Sequence, residues 1–267
     1  MLIYKVAEIH ILSYVLSEDL DDVWGNFSIS GCIENHEDIK CKIDFYPMHL
    51  DVINRDLKSM NFRPVEKAVM SNDRILLATS DYSYAYTQKA SKDTYNVFLN
   101  YLFYSNVIQR KMLQMHCSMV EDKGRGILFL GPSGIGKTTQ AERWAQYRNS
   151  LIINGDVGYV QQTEKGFIAW GTPWHGSSSY CVNTNVPLKA LVVLKQAEKN
   201  KLRKLGGFEK VREVSGNIFY PTWMESGVEL CANTLNALLD SVPVYRLDNR
   251  ADEEAVNLLA KEIDRIT

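Results

Sequence analysis

Apolar and polar positions alternate, imperfectly, in a two-residue period over Leu2 to Leu12, Phe27 to Ile33, Ile39 to Phe45, Asp51 to Met60, Arg74 to Thr79 and Ser83 to Thr87. That period belongs to strands with one buried face. Asn61 with Pro64, Ser71-Asn72-Asp73 and Ser80-Asp81 supply turn chemistry between them. The pattern predicts a half-buried antiparallel sheet. It changes at Tyr95: from there to Leu113 residues such as Phe98, Leu99, Leu102, Phe103 and Val107 leave little polar surface, predicting a buried helix capped by Ser91 or Asp93. Such a run also suits a membrane span, but Asn96, Asn100, Ser105, Asn106 and Gln109 interrupt it and Arg110-Lys111 close it early. No span is expected.

Beyond that helix the periods mix. Strands are predicted at Met115 to Val120, Ile127 to Leu130, Leu151 to Ile153, Val157 to Gln162, Phe167 to Trp170, Pro187 to Leu194 and Val242 to Leu247. Helices are predicted from about Gly136 to Tyr147, over Phe208 to Val214 and Val228 to Leu239, and as an amphipathic Asp252 to Ile266 with Ala255, Leu258, Leu259 and Ile263 on one face. The expected class is α/β, divided into an N-terminal β-rich (α+β) module over 1–92, a connecting buried helix over 93–114 and an α/β domain over 115–267. No repeat or low-complexity linker interrupts this order.

Composition narrows the function classes. With 45% apolar residues in 267, the chain can bury a sizeable core. Lys+Arg 30 against Asp+Glu 32 gives a net charge of −2, which predicts no broad attraction to nucleic acid or to an anionic membrane. Five scattered cysteines without C-x-x-C spacing read as free thiols in a reducing compartment, neither a disulfide framework nor a zinc site. The N-terminus lacks a basic segment followed by an apolar core, so the expected location is cytoplasmic.

The chemistry centres on Gly131-Pro132-Ser133-Gly134-Ile135-Gly136-Lys137-Thr138, a G-x-x-x-x-G-K-[ST] sequence between an apolar strand and a helix. Glycines let backbone N–H groups turn inward around phosphates, and the helix start adds the positive end of its dipole. The phosphate-binding set is Gly131, Ser133, Gly134, Ile135, Gly136, Lys137, Thr138 and Thr139. Lys137 would pair with β- and γ-phosphates and the Thr138 hydroxyl would ligate Mg²⁺.

Asp156 ends the apolar strand Leu151-Ile152-Ile153-Asn154-Gly155-Asp156, where a carboxylate suits a second metal ligand; Asn-Gly-Asp is equally good turn chemistry. His116 is either a core histidine or an imidazole that orients an acceptor or takes its proton. The aromatic, glycine and hydroxyl residues of 170–179 suggest a substrate-facing loop, with Trp174 closing over an acceptor and His175 contacting phosphate, or else a tryptophan that anchors the loop. The acidic run Glu18 to Asp22 reads as a solvated turn or helix start, or else as a cation ligand, and Asn200 to Lys204, Arg246 and Arg250 as solvated cations or grips for anions.

Together, His116 on the strand before the loop, the loop itself and Asp156 one helix later resemble the HPr kinase/phosphorylase family of the phosphoenolpyruvate carboxykinase superfamily. Pro243 to Leu247 and Asp252 to Val256 are similar to the ending of HPr-kinase-related proteins from peptide-modification clusters. The resemblance implies a kinase-type core using ATP, or another NTP, with Mg²⁺ held by Thr138 and Asp156. It implies Lys137, Asp156 and His116 as the catalytic residues, a hydroxyl acceptor on a peptide, protein or small molecule, and homo-oligomers by analogy. Two departures stand out. The family pairs two aspartates where this chain has Gly155-Asp156, and the arginine-glycine signature that serves HPr is absent. A different acceptor is therefore implied, and two alternatives stay open: a nucleotide-binding regulatory protein without catalysis, and an NTP hydrolase.

Overall fold

The computed structural model describes residues 1–29, 42–48 and 63–266, and the chain divides into two compact units, Met1–Asn106 and Val107–Thr267. In the first, β1 (Leu2–Val6) and β2 (Ile9–Ser13) form a hairpin where the sequence pattern predicts one strand over Leu2 to Leu12. Ala7, in the left-handed region at φ 51°, makes the break. With β3 (Lys42–Met48), β4 (Lys67–Ser71), β5 (Arg74–Ala78) and β6 (Tyr84–Gln88) they build a six-stranded sheet ordered β1-β2-β3-β6-β5-β4.

The sheet is mixed rather than antiparallel, because β3 runs parallel to both β2 and β6. Alternation reports which face of a strand is buried and is silent on the direction of its neighbour. Parallel neighbours need long crossovers, and the chain before and after β3 is long enough to supply them. Glu18 to Asp22 falls in two 3-10 turns, Ser17–Asp19 and Asp22–Phe27. Asp51 to Met60, the expected strand portions within 30–41, Asn61, Cys32 and Cys41 lie outside the described residues.

Helix α1 (Lys92–Val107) starts where Ser91 Oγ accepts the Thr94 N–H. Its Asn96 forms a polar clasp inside the unit: the Trp24 indole N–H donates to Asn96 Oδ1 at 2.9 Å and Asn96 Nδ2 donates to Asp21 at 2.6 Å. The helix does not reach Leu113. Lys111 adopts φ 58°, and Met112 and Leu113 already belong to strand β7 (Met112–Asp122). A continuous apolar run carries no period that separates a buried helix from a buried strand. Among the described residues no helix is long and apolar enough to cross a membrane.

The second unit is α/β. It comprises β7, β8 (Arg125–Leu130), α2 (Lys137–Arg148), β9 (Leu151–Asn154), β10 (Val157–Thr163), β11 (Gly166–Trp170), β12 (Asn185–Gln196), β13 (Lys201–Lys204), α3 (Gly207–Ser215), α4 (Gly227–Ser241), β14 (Val244–Asn249) and α5 (Glu253–Ile263). Its eight-stranded sheet is ordered β11-β10-β7-β8-β12-β14-β13, with β9 also on β7; β11 additionally pairs with β12, so β11-β10-β7-β8-β12 closes into a ring. The mutually parallel β8 and β12 carry continuous apolar runs, Ile127 to Leu130 and Ala190 to Leu194, as strands covered on both faces do, whereas β14, parallel to β12, alternates. Phe129, Val192 and Leu247 from these strands share one core with Ala141 and Trp144 of α2 and Val256, Leu259 and Ile263 of α5.

In Asn200 to Lys204 the two lysines, Lys201 and Lys204, are solvent-exposed. The segment's basic residues form edge strand β13, antiparallel to β14. Arg203 pairs with Glu209, Arg246 with Asp248, and Arg250 with Asp252 and Glu254. These guanidinium groups are engaged by neighbouring carboxylates.

At the end of β7, Asp122 has a side chain 1% exposed and accepts hydrogen bonds from Arg148 at 3.1 and 2.8 Å, Ser150 Oγ at 2.9 Å and Arg125 at 3.1 Å. Asp264, just past α5, accepts from both arginines in turn. This network joins the end of α2, the β7–β8 turn and the C-terminal helix.

Candidate functional site

The loop after β8 is shaped by glycines where a side chain would be strained. Gly131 has φ 141° and Gly136, the residue before α2, has φ 104°. Lys137 is 6% exposed, and its ammonium donates to Gly131 O at 3.0 Å and Pro132 O at 3.3 Å, lying across the mouth of its own loop. Burial lowers its pKa, while the negative charge of Asp156 acts in the opposite direction. The Cys117 thiol beneath is pushed up to about 12 by burial and is inert at neutral pH. Ser133, Gly134 and Thr139 are exposed and Ile135 is half-buried.

Thr138 Oγ1 donates to Gly155 O at 3.1 Å, and Ser118 Oγ donates to the same carbonyl at 2.8 Å. Those contacts tie the first turn of α2 to the segment between β9 and β10. One extra residue, Ile153, bulges β9 against β7: Val120 faces Ile152, and Met119 faces Asn154. Bulges re-aim side chains, and here the strand resumes with Asp156 Oδ1 at 3.1 Å from His116 Nε2. Both side chains remain open to solvent, at 29% for His116 and 35% for Asp156. Asn154 Oδ1 accepts the N–H groups of Asp156 and Val157, each at 2.9 Å. The Asn-Gly-Asp turn is thus formed, and the aspartate that ends it faces His116.

Asn217 is a residue the sequence does not advertise. Its carbonyl accepts the His116 N–H at 2.8 Å, its Oδ1 accepts the Gly131 N–H at 2.8 Å, and its Nδ2 donates to Glu213 O at 2.9 Å. It couples the strand of His116 to the start of the phosphate loop across a separation of 86 residues. Leaving a buried N–H unpaired costs about 1–3 kcal/mol. Asn217→Ala is expected to cost about 1–3 kcal/mol of stability and, by loosening the start of the phosphate loop, to weaken nucleotide affinity, measured by urea unfolding beside calorimetric titration.

The segment after β11 crosses the Gly155-Asp156 turn. Asn154 Nδ2 donates to Thr172 O at 3.1 Å and to Trp174 O at 2.9 Å, which anchors the incoming side. Trp174 is 6% exposed with its ring 5.9 Å from Tyr159, so it is an anchor rather than a cover over an acceptor. His175 Nδ1 lies 2.8 Å from Gly176 O. Gly176 rests on Asp156, since a Cβ there would stand 2.8 Å from the carboxylate. A Cβ on Gly155 would stand 2.1 Å from Ser178 Oγ. The structure therefore gathers Gly131 to Thr138, Asp156, His116 and the backbone of Gly176, and leaves Trp174 in the core.

Among the described residues no three His, Cys, Asp or Glu side chains group into a protein-only metal cage. The donors present, the Thr138 hydroxyl and the Asp156 carboxylate, are hard oxygens of the kind used by Mg²⁺, which takes its remaining ligands from nucleotide phosphates and water. The set fits a magnesium nucleotide.

Comparison with known proteins places this site in context. No curated protein matches the chain. Among solved structures, the Hpr(Ser) kinase/phosphatase from Coxiella burnetii is similar at 13% identity over 57% of this chain and 88% of its own, with a TM-score of 0.33, too distant to carry an argument. Residues 90–250 match the family described as SynChlorMet cassette protein ScmC. That stretch takes in His116, the phosphate loop and Asp156, and it is more than half of the chain, which therefore belongs to the ScmC family.

Proposed function

We infer that the second unit binds an NTP with Mg²⁺, ATP being the expected nucleotide, and transfers the γ-phosphoryl to a hydroxyl. The observation that carries this reading is the His116–Asp156 pair at 3.1 Å, formed between β7 and the β9–β10 turn, whose Gly155 carbonyl accepts the Thr138 hydroxyl of the phosphate loop. A bound magnesium nucleotide supplies an electrophilic phosphoryl group. Lys137 and the loop amides stabilise negative charge on it, Thr138 and Asp156 hold the metal side, and Asp156 or His116 receives the acceptor's proton. The acceptor class remains that of the sequence reading: a peptide, protein or small molecule bearing a hydroxyl.

The test is transfer of label from γ-labelled ATP to a panel of hydroxyl acceptors, with nucleotide affinity measured separately. Asp156→Asn keeps the volume of the side chain but removes its charge and basicity. It is expected to bind nucleotide within a few-fold of the parent and to lose transfer by about 10²-fold. Unchanged transfer in Asp156→Asn would remove the carboxylate from the chemistry. A second reading, a nucleotide-binding regulator without catalysis, is favoured by one observation: the space of a side chain at Gly155 is filled by Ser178. Tight Mg-nucleotide binding without transfer or hydrolysis would support it.

A further inference from the structure

We propose that Ser178 is a phosphoacceptor within the same chain, presented to the nucleotide by the loop that crosses the site. This inference rests on the phosphotransfer reading above and names one acceptor for it. The loop is fastened on both sides of its serines. Asn154 holds the carbonyls of Thr172 and Trp174 before them; after them, Gly155 N–H donates to Tyr180 O at 3.3 Å and Val182 N–H to Ile153 O at 2.9 Å. Tyr180 OH also donates to Glu142 of α2 at 3.3 Å. The run Ser177-Ser178-Ser179 is thus a short span stretched between two anchors over the Gly155-Asp156 turn.

Within that span Ser178 is singled out by position. Its Oγ takes the place of a side chain on Gly155, the residue whose carbonyl accepts the Thr138 and Ser118 hydroxyls. Two residues earlier, Gly176 lies against the Asp156 carboxylate. The Ser178 loop thus lies against both residues of the Gly155-Asp156 turn, and the Gly155 carbonyl of that turn accepts the Thr138 hydroxyl at the end of the phosphate loop. A tethered hydroxyl held near its target reacts at a high effective concentration, with no separate binding step.

In the step, the Ser178 oxygen forms a bond to the γ-phosphorus of the NTP and the bond from that phosphorus to the β,γ-bridging oxygen breaks. The electron pair leaves on the nucleoside diphosphate, and the hydroxyl proton passes to Asp156, backed by His116. A phosphate left on Ser178 adds negative charge beside Asp156, so the modified chain should hold nucleotide less tightly.

The full chain, first treated with phosphatase, is incubated with Mg²⁺ and ATP and digested with trypsin, and peptide 166–189 is analysed by mass spectrometry. The expected result is one phosphate, located on Ser178, appearing at a rate independent of protein concentration. It should be absent in Ser178→Ala and retained in Ser177→Ala and Ser178→Thr. Independently of activity, Ser178→Glu should bind MgADP at least fivefold more weakly than Ser177→Glu in a calorimetric titration. Lys137-dependent ATP binding with an unmodified peptide overturns the acceptor role of Ser178 and leaves the phosphotransfer reading standing. Phosphate on another residue, or a rate that rises with protein concentration, overturns it equally. Absence of Lys137-dependent nucleotide binding overturns both.

Discussion

Lys137→Met is expected to lower phosphoryl transfer by about 10³-fold, the upper range for losing one charge-stabilising donor in a phosphoryl or acyl transfer site. Methionine keeps most of the buried stem and deletes the ammonium, so the helix should stay folded. In the structure Lys137 is only 6% exposed and its ammonium is satisfied by the carbonyls of Gly131 and Pro132, the first residues of its own loop. It is held at the loop mouth in advance and needs only to exchange two carbonyl oxygens for phosphate oxygens. Burial has already weakened the hold on its proton, which makes an incoming negative charge the more stabilising. The measurement is a single-turnover transfer assay at saturating ATP beside a circular dichroism melt. A variant that folds and still transfers within tenfold of the parent would show that the loop amides suffice.

The second large effect lies away from the site. Asp122→Asn is expected to destabilise the second unit by about 3 kcal/mol, because it leaves two largely buried guanidinium groups short of a counter-charge. Burial by itself would raise the Asp122 carboxyl, but hydrogen bonds from Arg148 and Ser150, with Arg148 and Arg125 as positive neighbours, hold it below the ordinary carboxylate range. A folded pKa below the unfolded value contributes stability that is fully present above about pH 3.9. That contribution is lost as pH falls through the lower, folded value. Urea unfolding of parent and variant should therefore differ by a constant amount at neutral pH, and the two curves should converge on acidification below about pH 3.9. A gap of the same size at acid pH would mean that the amide variant fails through packing instead of charge.

Much of the second unit is legible in the sequence because its elements are separated by clear turns and of one period each. The loop after β8, the helix that follows and the β10–β11 hairpin declare themselves by local spacing alone. The site is legible to the same depth: Gly131 to Thr138 form one contiguous motif, and Asp156 sits one strand later. Ser118 left a signal that pattern reading overlooks, since it shares the period-two face of β7 with His116. Asn217 left none, because its partner Gly131 is 86 residues away and an asparagine after a helix is ordinary. Trp174 misleads for a physical reason. A tryptophan in a glycine-rich loop has the same composition whether its ring covers a ligand or seals the core beside Tyr159. In the first unit, alternation marks β3, β5 and β6 but runs β1 and β2 together and misses β4, an edge strand with little burial to alternate, and strand direction had to come from the long connections around β3.

The ring of strands in the second unit has a consequence for how copies of this protein behave in a crowded solution. Since β11 returns to β12, the terminal strand among those described on the other side of the sheet is β13, Lys-Leu-Arg-Lys. Its unpaired backbone groups are the natural template for another chain's strand, and exposed Lys201 and Lys204 stand along that line. A second copy approaching edge to edge would set like charges side by side, a standing repulsion against fibrillar stacking. These solvent-exposed lysines, which the sequence leaves as solvated cations or grips for an anion, are the kind of edge charge that disfavours pairing with a second strand.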